Sequence, residues 1–222
     1  MDISSYADLT TTKNGKPFYR GKTPSGSEVF MTDYQIEIAG HTDTIFVDGT
    51  FSICPHPFYQ VFIISAKVGE NIFPMATALM ANKLQASYKD VFEKIKIICA
   101  DKGEQIDFVH IHSDCEQGIL NAAREVYPNA ENHLCRFHVV DAQSKNANTF
   151  GVRSIINQNS EFKNFYSAQR QIYFFPPDYW PRLWQIFMSH LSTETKTLPP
   201  VQRFLAYLVR VVVFASKSDI VS

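Results

Sequence analysis

Three apolar segments follow one another between residues 44 and 81: TIFVDGTF at 44–51, YQVFIISAKV at 59–68 and IFPMATALMA at 72–81. Each is short and rich in β-branched or aromatic residues, which suits strands, and only GEN separates the second from the third, so a hairpin is expected there. The period changes after residue 86. In SYKDVFEKIKIICADK the positions Tyr88, Val91, Phe92, Ile95, Ile98 and Cys99 follow helical spacing, with Ser87 and Asp90 as the start signal. DFVHIHSD at 107–114 returns to strand character. EQGILNAAREVYP is helical through Ile119, Leu120, Ala123, Val126 and Tyr127, and Pro128 marks its end. Two stretches stay open: EVFMTDYQIEIA reads as a strand or a short helix, and NHLCRFHVV at 132–140 as a strand or the root of a helix.

The predicted order is therefore three strands, helix, strand, helix, strand. Consecutive strands favour an antiparallel meander, and strand-helix-strand alternation favours parallel additions to the same sheet. The texture changes downstream. Residues 146–160 are polar and loop-like; EFKNFYSAQRQIYFF and DYWPRLWQIFMSHL then place Phe162, Phe165, Tyr166, Ile172, Leu183, Phe187 and Leu191 at roughly helical spacing, with Asp178 as the expected cap of the second helix. The expected organisation is an α/β core at 28–145, preceded by a polar, weakly structured lead-in at 1–27 and followed by an all-helical block at 146–222.

Composition narrows the partners. With 222 residues, 45% of them hydrophobic and 14% aromatic, the chain can bury a core of ordinary size. Lys and Arg number 21 against 22 Asp and Glu, so no bulk positive field advertises nucleic acid or an anionic membrane, and any DNA contact must be local. Four cysteines in a chain with no signal-like N-terminal segment favour reduced thiols in an intracellular compartment. The longest apolar run, FLAYLVRVVVFA at 204–215, is broken by Arg210 and is shorter than the roughly 18–20 residues of a membrane span.

Two acids stand out against this background. Asp48 sits inside FVDGTF and Asp114 inside VHIHSDCE, each at the late end of an expected strand. An apolar strand normally excludes an unpaired carboxylate, whose burial costs several kcal/mol or forces protonation. If the two strands are parallel neighbours, the carboxylates emerge side by side, and both stay ionised only with a cation between them. Magnesium or manganese suits such oxygen ligands, and a pair of these ions serves phosphodiester chemistry. Taken singly, Asp114 reads as an N-cap and Asp48 as a turn residue before Gly49. A second constellation is CRFH, with Cys135 and His138 spaced as half a zinc site; Cys115, His110, His112 and His133 are candidate partners, but none completes a second well-spaced pair, so zinc is the weaker reading. His110, His112 and Asp114 share one strand face by period two, which would set imidazoles beside the acid.

FVDGTF with the segments up to residue 95, HIHSDCEQGILNAAREVYPNAENHLCRFHVV, and YFFPPDYWPRLWQIF together resemble the core of Mutator-like element (MULE) transposases and of proteins domesticated from them, over about residues 27–192. The resemblance implies a ribonuclease H-like mixed sheet, three antiparallel strands plus parallel ones flanked by helices, with an all-helical insertion after the second acid. It also implies an Asp, Asp, Glu triad that binds two divalent metal ions for cleaving and joining transposon ends. Asp48 would be the first acid, Asp114 the second, and Cys135 with His138 the supporting C-x-x-H element. Expected partners are the terminal repeats of the transposon and target DNA, with homo-oligomers open, no membrane, and a nuclear location.

The third acid departs from the pattern. Family members carry it beyond the insertion in a segment with an aromatic pair followed by Glu; here Tyr207 and Leu208 are followed by Val209, and no Glu occurs after Glu194. Glu161, Asp178, Glu194 and Asp219 remain unassigned. The expectation is a transposase domain that is incomplete at its C-terminal side and weak or inactive alone, the alternative being a domesticated, non-catalytic scaffold that binds DNA or protein.

Overall fold

The computed structural model describes residue 3, residues 7–114 and residues 116–212. Cys115 and Asp219 lie outside the described residues. The chain divides into two units, Met1–Asn132 and His133–Ser222.

The first unit runs α1 (Ala7–Thr10), β1 (Tyr19–Lys22), β2 (Glu28–Phe30), α2 (Asp33–Gly40), β3 (Thr44–Thr50), β4 (Gln60–Val68), β5 (Asn71–Met80), α3 (Gln85–Asp101), β6 (His110–Ser113) and α4 (Gln117–Val126), ending within β7 (Glu131–Leu134). Among the described residues the strands form one seven-stranded sheet in the order β1-β2-β5-β4-β3-β6-β7. β3, β4 and β5 are the expected antiparallel meander, and β6 pairs with β3 in parallel. The resulting mixed sheet flanked by helices is a ribonuclease H-like α/β arrangement. β4 and β5 meet in a tight hairpin at Gly69, whose φ of 60° lies in the left-handed region that glycine enters at least cost.

The open stretches resolve into both alternatives in succession. EVF is β2 and DYQIEIAG is α2, started by a capping box in which Thr32 accepts from the Gln35 amide while the Gln35 side chain accepts from the Thr32 amide. The lead-in contributes more than expected, because Tyr19–Lys22 pairs antiparallel with β2 as the sheet's outermost strand. α3 begins earlier than its supposed start signal. Leu84 is its N-cap without a side-chain bond, while Ser87, already helical, donates to Asn82 Oδ1 at 2.7 Å and Asp90 accepts the Ser25 amide at 2.7 Å. The predicted apolar face is buried throughout, and Phe62 of β4 seats the rings of Tyr88 and Phe92 at centroid distances of 5.0 and 5.9 Å.

The second unit is helical from α5 (Arg136–Thr149) through α6 (Arg153–Gln158), α7 (Ser160–Gln169), α8 (Trp180–Ser189) and α9 (Thr193–Thr197) to α10 (Pro199–Val212). The expected loop at 146–160 is mostly helix, the end of α5, all of α6 and the start of α7, with Ala147 and Ile156 among the buried positions. Asp178 is not the cap of α8: it lies in a 3-10 turn at Pro177–Tyr179, and Tyr179 precedes the helix without a side-chain bond. This unit has its own core of Phe162, Phe165, Tyr166, Trp180, Trp184 and Phe204 among others. Within it the buried Gln143 donates to Tyr173 Oη at 2.6 Å and accepts from Gln169 Nε2 at 3.2 Å.

Candidate active site

β3 alternates. Ile45 and Val47 are buried, whereas Phe46 is half-buried and Asp48 exposed, so the pleat turns Asp48 away from the core rather than into it. The pairing of β3 with β6 sets Thr44 against His110, Ile45 against Ile111 and Phe46 against His112, an offset of 110 − 44 = 66. Continued two residues past the last pair, that offset brings Asp48 level with Asp114, which follows directly on β6. Adjacent strands run about 4.8 Å apart.

Asp114 does not cap α4 as an N-cap, a position held by Glu116. Its Oδ1 instead accepts the Glu116 amide at 3.0 Å, an Asx turn that carries the chain from strand into helix. The Glu116 side chain turns back to α3: Tyr88 Oη donates to Glu116 Oε1 at 2.9 Å, and Lys83 Nζ lies 3.6 Å from Glu116 Oε2. Gln60 Nε2, on β4, donates to the same Tyr88 hydroxyl at 2.7 Å. Burial first, then the bond to Glu116 and the charges of Glu116 and Asp114, hold the Tyr88 hydroxyl protonated well above the usual tyrosine range, against a lowering by Gln60. Tyr88 was legible only as a buried helix position. The signal for its second role is chemical, since a buried phenol needs a partner.

His112 stacks on Phe46 with ring centroids 4.7 Å apart, and His110 Nδ1 is 3.5 Å from Glu131 Oε2. In the helical unit, Cys135 is the N-cap of α5 and His138 lies in its first turn, edge-on to the Phe137 ring at 5.5 Å. Among the described residues, no group of three His, Cys, Asp or Glu side chains with mutually close ligand atoms contains Cys135, His138, Asp48 or Asp114. The unassigned acids of the helical unit are placed by local structure: Glu161 accepts the Ser192 amide, and Glu194 lies in the first turn of α9.

Residues 44–142 match the family model of the MULE transposase domain. This stretch is a MULE transposase domain. It spans β3 to within α5, so it contains Asp48, Asp114, Cys135 and His138. No curated protein sequence matches the chain. The MULE domain carries a transposase-like function, for which DNA is the suggested partner and divalent metal the suggested cofactor. No helix among the described residues is long and apolar enough to cross a membrane.

Proposed function

We propose that the MULE domain acts on DNA by metal-dependent strand cleavage and joining at transposon ends, with Asp48 and Asp114 as metal ligands. The register of β3 on β6 carries this reading, because it sets the two acids level at neighbouring parallel strands. The donors suit the ion: both are hard carboxylates, Asp48 is exposed, and Asp114 is oriented by the Glu116 amide on Oδ1. When bound, magnesium or manganese would supply activation of the attacking oxygen and stabilisation of the leaving one. The chain's own part is to hold two negative charges at the end of a rigid sheet and to keep Asp114 oriented by a backbone amide. The third acid is unassigned, and Cys135 with His138 is a supporting element. Nuclear location and assembly as a homo-oligomer belong to the same reading.

The test is nicking of a terminal-repeat duplex with magnesium or manganese. Activity in the wild type and its loss in Asp48→Asn and Asp114→Asn, by orders of magnitude because members of such a site act as a unit, supports the enzyme. DNA retained in a mobility-shift assay with no nicking under any metal would replace it with the non-catalytic scaffold. Absence of manganese binding by calorimetry at millimolar concentration would remove Asp48 and Asp114 as ligands.

A further inference from the structure

Gly49 follows Asp48, and a Cβ built on it would lie 2.5 Å from Gln60 Oε1, so the Gln60 side chain occupies the space that any other residue at 49 would need. Gln60 is 1% exposed, and its amide has one consistent orientation. The Tyr88 hydroxyl has a single proton, which goes to the carboxylate of Glu116, so it must accept from Gln60 Nε2. That turns Oε1 toward Gly49, where no hydrogen-bond donor reaches it among the described residues. At the far end the Tyr88 ring fits against α4: a Cβ on Gly118 would meet two of its ring carbons at 3.4 Å. The directional series Gln60 Nε2–H to Tyr88 O–H to Glu116 Oε1 thus starts beside the residue after Asp48. It ends on the residue whose amide holds the Asp114 carboxylate.

We infer that Gln60, Tyr88 and Glu116 form a positioning chain that fixes the Asp114 carboxylate relative to the Asp48 end of β3, Glu116 acting through its hydrogen bond and not as a metal ligand. The functional value of this chain rests on the reading of Asp48 and Asp114 as ligands, but its structural action does not. Every link lies on a different element, β4, α3 and the start of α4, so the chain registers the strand end against both helices. Outer-shell partners of metal ligands commonly govern affinity in this way.

Four variants of the whole chain decide it: Tyr88→Phe, Gln60→Leu, Glu116→Ala and Glu116→Gln. Manganese affinity should fall about ten-fold in Tyr88→Phe, Gln60→Leu and Glu116→Ala, the lower end of outer-shell effects. Glu116→Gln, which keeps an oxygen to accept from Tyr88, should stay within about three-fold of the wild type on the same scale. In metal-free protein, exchange of the Glu116 amide hydrogen should quicken in Tyr88→Phe and in Glu116→Ala's flanking amides, with amides of β5 unchanged. Loss in Glu116→Gln as deep as in Glu116→Ala would make Glu116 a charged ligand and overturn the inference. So would unchanged affinity and exchange in Tyr88→Phe. If the wild type binds no manganese, the ligand reading fails, and amide exchange alone decides the positioning chain.

Discussion

In the first unit the side chains that matter are brought together by strand pairings across long gaps in sequence, Thr44 with His110 and Glu28 with Leu79, whereas in the second they meet mostly as turns of successive helices. Both units bury large aromatic residues: Phe62, Phe92 and Tyr88 in one, Trp180, Phe162 and Phe204 in the other. Yet among the described residues only the first carries acids at matched strand ends. A sheet holds two side chains level by its register, while a helix sets neighbours by a rise of about 1.5 Å and a turn of about 100° per residue, so acids on separate helices have no such rule. Chemistry that needs two carboxylates at a fixed spacing is therefore expected from the sheet.

The contrast can be broken by substituting one core at a time. Phe62→Ala in the sheet unit should cost about 3–5 kcal/mol, as should Trp180→Ala in the helical one, where the indole Nε1 also donates to the Phe175 carbonyl at 2.7 Å. Both tryptophans, Trp180 and Trp184, lie in the helical unit, so indole emission follows that unit while amide exchange in β3, β4 and β5 follows the sheet. Phe62→Ala should displace the exchange-detected transition more than the emission-detected one. Equal displacement of both would mean that the two cores melt as one. A smaller effect is expected from Gly49→Ala, which forces Gln60 aside and should cost about 1–3 kcal/mol by overpacking, measured as a lower urea midpoint with an unchanged slope.

The smallest effect concerns charge at the rim of the sheet unit. Arg20 first, at 2.7 Å, and then Lys102, at 3.2 Å, hold the exposed Asp33 carboxyl below its usual value. With the folded value below the unfolded one, the contribution is present above the ordinary carboxylate range and is lost as pH falls through the folded value. Asp33→Asn should accordingly melt slightly earlier than the wild type at neutral pH and converge with it in acid. A difference that persists at low pH would assign the effect to something other than the ion pairs.

The strands β3, β4 and β5 and the helices α3 and α4 were legible because their apolar positions are numerous and keep one period over a full element. The parallel pairing of β3 with β6 was legible for a related reason, since strand order alone suggested it. What escaped was set by distant contacts. Tyr19–Lys22 reads as polar chain and becomes a strand only because β2 offers an edge. Ser87 and Asp90 look like a helix start, but Asn82 takes the Ser87 hydroxyl and a loop amide takes Asp90. The link between Gln60 and Tyr88 spans 28 residues and leaves no periodic trace.

The pleat of β3 has a consequence for how the sheet assembles. A slip of one residue would exchange the faces of the whole strand, turning Asp48 toward the side where Val47 now packs and Val47 toward water. The burial of a carboxylate among apolar side chains costs several kcal/mol, which no shifted hydrogen-bond ladder recovers. Asp48 therefore also counts against odd-numbered misalignments of β3, since each would bury its carboxylate.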